Sequence, residues 1–355
     1  MNRRPHLLLA TSVTLALGLI AGCSSDDDAP AAPSTSAAAT PDATASSTEG
    51  TSTQPTTDDD APAAAAAAWL RDQAAPGTVL QTEFDGVAFD DYGLSADVVL
   101  ALLAADDEEG ARGYAEALTT DAAVTAYVGD GTTALYAGAT GKLLAVADAA
   151  GLPTDSVGGR DLAAELLALQ TDEGRFSDLG PDDYSQTVSQ SWAVAALGAR
   201  DAAPQAAVDY LAAQQCEGSG FPAQLSSAPP ADCVPDVDAT AFAVSALLVA
   251  GTDDDAPVVV QSLAWLDSVA TTDDAGAAWA SVDSDGPSVN STAVVATALE
   301  DADADSAAAV SWLVAQQATE GDAAGAFLLA GEPDVRSTAQ ATVALAGDGL
   351  DDLLD

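Results

Sequence analysis

Basic residues are scarce in this chain: 9 Lys and Arg stand against 56 Asp and Glu, for a formal net charge of −47. A surface of that sign repels nucleic-acid phosphates and anionic lipid headgroups, so neither is expected as a partner. Histidine is scarcer still. The single one, His6, lies just before the N-terminal apolar run, which leaves the rest of the chain no imidazole for a zinc site, a Ser-His-Asp triad or a Cys-His pair. No metal and no cofactor are expected. Aromatic residues make up 5% of the chain, while alanine is abundant, a composition that favours closely packed helices. Long apolar runs are missing too: Leu7 to Ile20 is the longest, and it is short for a bilayer span.

What is present at the N-terminus reads as an export signal. Arg3 and Arg4 precede the apolar run, which ends in Ile20-Ala21-Gly22-Cys23. The small pair followed by Cys resembles the lipobox of bacterial lipoproteins, where the thiol takes a diacylglycerol. This implies a signal peptide over 1–22, lipidation at Cys23, and a location on the extracytoplasmic face of the cell membrane, held by the lipid anchor alone. An ordinary signal peptide with a chance Cys is the alternative, and the basic pair leaves Sec and Tat export both open. Residues 23–63 are Ser, Thr, Ala, Pro and Asp with almost no large apolar side chain, so they cannot offset their ordering entropy and read as a disordered tether. Residues 64–355 are long enough for one domain with a real core. Cys216 and Cys233 are the only other cysteines. In an exported protein one remaining pair suggests a disulfide, two free thiols being the alternative.

The domain repeats with a period of about fifty residues. One half of the unit is a helix with an aromatic-Leu step: Trp69-Leu70, Tyr210-Leu211, Trp265-Leu266, Trp312-Leu313. A Gln- and Gly-rich turn ending in an aromatic follows in "LQTDEGRF" to Phe176, "AQQCEGSGF" to Phe221 and "AQQATEGDAAGAF" to Phe327, with a degenerate copy ending at Trp279. The other half is a more apolar helix with a polar start, as in "DVDATAFAVSAL" to Leu247, "SVNSTAVVATAL" to Leu299 and "DVRSTAQATVAL" to Leu345. Looser copies end at Leu197 and Leu102, and the loosest runs from Tyr136 to Val146. The small apolar character predicts helices buried on most sides. No strands are expected.

The Gln-x-x-Glu-Gly-x-Phe run of Gln170, Glu173, Gly174 and Phe176, with the recurrent Asp/Ser-Val-x-x-Thr-Ala, resembles the prenyltransferase and squalene-oxidase repeat superfamily over roughly Ala64 to Asp355. The resemblance implies an all-α fold, an α/α toroid of about six helix pairs with the apolar helices inside. An open helical solenoid is the alternative. That superfamily includes terpene cyclases, protein prenyltransferase β-subunits, thioester domains and the α-domain of vitamin B12 carriers, so it guides fold more than function.

Each chemistry of the superfamily has residue requirements. The prenyltransferase zinc needs a His. "QQCEGSG" around Cys216 lacks the Gln after Glu that a thioester needs. A cyclase resembling class II needs Asp-x-Asp-Asp-Thr-Ala, and here Asp236-Val237-Asp238-Ala239-Thr240-Ala241 puts Ala239 where the last carboxylate belongs. Asp236 and Asp238 are catalytic only if the chain is cyclase-like; otherwise they start a helix, with orphan N–H groups and the positive dipole end favouring a carboxylate there, or they touch a ligand. "GATGKL" around Lys142 fails as a phosphate loop, "DSDG" at 283–286 fails as a calcium loop, and Glu108-Glu109 and Asp253 to Asp255 read as solvated loops.

The sequence therefore points to a non-catalytic small-molecule-binding module, lacking a recognisable catalytic apparatus. Its ligand is unknown, small and hydrophobic or corrinoid-like. Candidate binding residues are Tyr92, Tyr184, Trp192, Asp236, Asp238, Phe242, Asn290 and Arg336, from the starts and inner faces of the apolar helices. A terpene cyclase or prenyltransferase-like enzyme on an isoprenoid substrate is one alternative. A structural module with an envelope protein partner is another.

Overall fold

The computed structural model describes residues 61–354 apart from 76, 85, 228–231, 282, 283 and 285. The expected signal peptide, Cys23 and the tether up to residue 60 lie outside the described residues. In chain order the helices are α1 (Ala61–Arg71), α2 (Tyr92–Ala104), α3 (Glu108–Leu118), α4 (Asp121–Val128), α5 (Ala137–Ala149), α6 (Leu162–Ala168), α7 (Thr187–Gly198), α8 (Gln205–Ala212), α9 (Val237–Val249), α10 (Pro257–Val269), α11 (Val289–Asp301), α12 (Ala307–Gln316), α13 (Val335–Ala346) and α14 (Leu350–Leu354). Contrary to the sequence expectation, short strands are present: β1 (Gln81–Phe84) pairs with β2 (Val87–Asp90), β3 (Thr271–Thr272) with β4 (Ala277–Ala278), and β5 (Phe327–Leu329) with β6 (Glu332–Asp334), all antiparallel. They are local hairpins in the connections into α2, α11 and α13, too short to leave a pattern of alternation.

Six helices form an inner ring in the order α2, α5, α7, α9, α11, α13, and α13 packs back on α2 to close it. The others, α14 apart, pack outside. Small side chains make this possible: Ala193, Ala195 and Ala196 of α7, and Ala241, Ala243 and Ala246 of α9, are fully or almost fully buried and let neighbouring helices approach closely. The outer helices α1 and α12 meet in the same closure. Gln317 at the end of α12 donates from Nε2 to the Pro62 carbonyl of α1 at 2.9 Å, and α1 packs on α13. An open solenoid would leave both ends free; this ring has none.

The repeated sequence motif has one structural job. Thr240, on the first turn of α9, donates to the Asp236 carbonyl at 2.6 Å while its hydroxyl oxygen accepts from the buried Phe221 amide at 2.8 Å. Thr338 does the same between Asp334 and Phe327, and Thr292 accepts from Trp279. In α7 the longer Gln190 takes the place of Thr and accepts from the Phe176 amide at 2.8 Å. The aromatic that closes each Gly-rich turn is thus pinned to the first turn of the following inner helix and buried against it. Glycine is required in the turn. Gly174 has φ +97°, and a Cβ there would come within 1.9 Å of the Ala206 carbonyl oxygen. The expected disulfide between Cys216 and Cys233 is formed and staples the turn before α9.

The C-terminal segment closes one end of the ring. α14 packs against α9, α11, α5 and α2, with Leu350 and Leu354 buried. The helix starts, with their caps, stand at the other end.

Candidate functional site

Because the inner helices share one register, the same positions of each face the axis. The second residues form the outer layer of the mouth: Gly93, Gly138, Val188, Asp238, Asn290 and Arg336. One turn deeper come Asp97, Lys142, Trp192, Phe242, Val294 and Gln340. Contacts run around this second layer: Lys142 donates to Asp97 Oδ1 and lies over the Trp192 ring, 5.4 Å from its centre, and the Trp192 and Phe242 rings are 5.9 Å apart. Below it, a cavity of about 60 Å³ is lined by Leu100, Ser245, Thr297 and Val343, with Leu350 and Leu353 of α14 as its floor; Asp97, Trp192, Phe242, Val294 and Gln340 form its upper wall.

Lys142 is the only lysine of the chain and is buried. It also donates to the Gly93 carbonyl at 3.0 Å. Arg336 reaches from the mouth, its Nη1 3.5 Å from Asp97 Oδ2. Two cations thus converge on one buried carboxylate. Beside them Tyr127 of α4 enters from the outer layer and stacks on Tyr92 at 6.0 Å. A Cβ on Gly93 would stand 3.5 Å from the Tyr127 hydroxyl, an ordinary contact, so the phenol lies directly against the start of α2. Burial pushes the Tyr127 phenol well above its ordinary range, with the Asp97 and Asp91 charges adding and Arg336 opposing.

Asp236 is the N-cap of α9 and accepts from the Ala239 amide at 2.8 Å. Asp238 sits in the mouth with Oδ1 buried and lacking a hydrogen bond among the described residues. Burial raises its carboxyl, a hydrogen bond with Ser291 lowers it, and the Asp236 charge raises it. Asn290 donates to Gln340 at 2.9 Å and accepts from the Ser337 hydroxyl at 2.8 Å, which ties α11 to α13 at the mouth. Trp192 and Phe242 line the cavity. Tyr92 begins α2, its hydroxyl on Asp90. Tyr184 stands apart on an exposed loop before α7, 68% accessible. Sequence reasoning missed Asp97, Lys142, Gln340 and Tyr127. The signal available was Lys142, a lone lysine inside an apolar helix.

Among the described residues no group of three or more His, Cys, Asp or Glu is arranged to hold a metal, and no helix is long and apolar enough to cross a membrane. No family model matches the chain, and no curated protein matches it. Solved structures are similar in fold. The ligand-free type II terpene cyclase MstE from Scytonema has TM-score 0.60 at 18% identity, over 82% of this chain and 98% of that one. A variant of that enzyme in complex with its substrate geranylgeranyl dihydroxybenzoate has TM-score 0.60 at 18% identity, over 84% and 98%. The unsaturated glucuronyl hydrolase of Bacillus sp. GL1 has TM-score 0.53 at 13% identity, over 81% and 94%. At such identities the likeness shows the α/α toroid and nothing about activity.

Proposed function

We propose that this protein is a lipid-anchored, extracytoplasmic module that binds a small amphipathic molecule in the ring and performs no chemistry on it. One observation carries the reading: the cavity is mostly apolar and about 60 Å³, with Asp97 and Gln340 in its upper wall and the Ser245 and Thr297 hydroxyls below them. That is the anatomy of a small-molecule site, in which apolar walls supply affinity and a few polar groups set orientation. Its size argues against an isoprenoid or a corrinoid inside the ring, because pockets for ligands of that scale run to roughly 300–1,000 Å³. Two further features weigh against a cyclase. Ala239 leaves the Asp236/Asp238 pair without the further carboxylate, and Asp97 makes the contacts of a carboxylate acceptor, with Lys142 donating to it and Arg336 alongside.

Native mass spectrometry of the protein recovered from its own organism tests the binding reading. A retained small molecule, lost when Trp192 is replaced by a smaller residue, is the expected outcome. Conversion of geranylgeranyl diphosphate or squalene to a cyclised product by the wild type would replace it with the enzymatic reading. Anchoring is tested separately: Cys23→Ala should release the protein from membranes or leave it as an uncleaved precursor.

A further inference from the structure

The two oxygens of Asp97 are treated differently by their surroundings. Oδ1 accepts from Lys142. Oδ2 is buried and accepts no hydrogen bond among the described residues. Asp97 as a whole is 8% exposed, so bulk water has little access to satisfy it, and a buried acceptor without a donor is destabilising. Arg336 Nη1 lies 3.5 Å from Oδ2, close enough for attraction and too far for a good hydrogen bond. The Arg336 guanidinium makes no hydrogen bond among the described residues, and its side chain is 51% accessible. A buried acceptor in need of a donor therefore faces a solvent-exposed donor just above the cavity that Asp97 lines.

We propose that the group seated between Asp97 and Arg336 is an uncharged hydroxyl, and that the ligand is a small apolar alcohol. The inference rests on the binding reading above. The hydrogen-bond inventory selects the group. A hydroxyl donates to Oδ2 and at the same time accepts from the guanidinium. A carboxylate has nothing to donate and would set its charge against Asp97. An ammonium has nothing to accept with and would sit beside two cations, Lys142 and Arg336. Either ion also loses more on leaving water than a hydroxyl does. The rest of the molecule meets Leu100, Trp192, Phe242, Val294 and Val343, which suits an alkyl or ring body. About 60 Å³ limits it to a small body, far below the roughly 300–1,000 Å³ of sites for drug-sized ligands.

The test uses the tethered protein and three probes of matched length: pentan-1-ol, pentylamine and pentanoate, titrated at pH 7 and constant ionic strength while side-chain methyl resonances of the ring are followed. Pentan-1-ol should bind at least about tenfold more tightly than either ion and should shift Leu100 and Val343 resonances. Arg336→Met keeps the aliphatic length and removes the donor; it should weaken pentan-1-ol several-fold, and its half-exposed position makes unfolding an unsuitable explanation if the spectrum stays native. Tighter binding of pentylamine or pentanoate, or unchanged pentan-1-ol affinity in Arg336→Met, overturns the hydroxyl assignment and leaves the cavity a binding site. Failure of all three probes to reach the cavity overturns both.

Discussion

Asp301, the last residue of α11, accepts a hydrogen bond at Oδ1 from the backbone amide of Asp351 in α14, at 3.0 Å, so the cavity floor hangs on a buried carboxyl. A Cβ on Gly349 would come within 2.5 Å of Asp301 Oδ1 and 2.3 Å of Asp351 Oδ1, which shows how closely the two side chains meet there. Burial first, then the neighbouring Asp351, pushes Asp301 up to about 8. Burial, with the Asp352, Asp106 and Glu300 charges, pushes Asp348 up to about 6.

This makes the seating of α14 proton-linked. A carboxyl whose value is raised in the folded state stabilises it fully below the ordinary carboxyl range, and that contribution disappears as pH rises through the raised value. The charged groups around α14 are Asp348, Asp351 and Asp352 of its own segment, Glu300 and Asp301 from α11, and Asp106 after α2; α9 offers Ser245, and Asp148 of α5 is engaged by Arg200. Docking of α14 should therefore weaken steadily from about pH 4 to pH 8, by up to about 1.4 kcal/mol per pH unit for each proton released. Protection of the amides across Leu350 to Leu354, taken relative to their intrinsic exchange rates, should fall over that range in the wild type. Asp301→Asn should flatten the profile between pH 6 and 8. A wild-type profile already flat there would refute the linkage.

Lys142 and Asp97 should behave as a buried pair, since each is nine-tenths or more covered. Lys142→Met leaves the carboxylate without its main partner and should cost about 3–5 kcal/mol in urea unfolding, whereas Lys142→Met with Asp97→Leu should recover most of that loss. A double variant as unstable as the single one would mean that the pair is not a coupled unit.

Cap and pin at the start of α9 should separate in mutants. Asp236→Asn keeps an acceptor for the Ala239 amide and should cost well under about 1 kcal/mol. Thr240→Val removes the acceptor for the buried Phe221 amide and should cost about 1–3 kcal/mol. Equal losses from the two, measured by thermal or urea unfolding, would show that the threonine acts only as a space-filler.

The Cys216–Cys233 bond closes a loop of sequence separation 17 and should contribute roughly 3 kcal/mol in the chain-entropy model. Reduction, or replacement of both cysteines by serine, should lower the unfolding midpoint accordingly and speed amide exchange in the turn before α9. An unchanged midpoint would show that the loop is held by Gln214 and Tyr210, both of which donate to the Ser226 carbonyl.

The repeat itself was legible in the sequence. Thr240, Thr292 and Thr338 recur because each must pin one aromatic amide, and Gly174 is fixed by a carbonyl that leaves no room for a side chain. Local chemistry of this kind leaves a local pattern, and from it came the toroid, the inner helices and the capping role of Asp236. The charged upper wall of the cavity was not legible. Inner helices are apolar on nearly every side, so their periodicity does not mark which face looks inward. Asp97 and Lys142 stand 45 residues apart and meet only because two helices of the ring present the same register to one axis. The same holds for the short apolar tail: "LDDLL" becomes the floor of a cavity only once α9, α11, α5 and α2 surround it. Sequence determined the unit and its repetition, because these depend on contacts within a repeat. Closure of the ring decided the site, because its residues come one from each repeat and gain their charge partners and their burial only from neighbours around the ring.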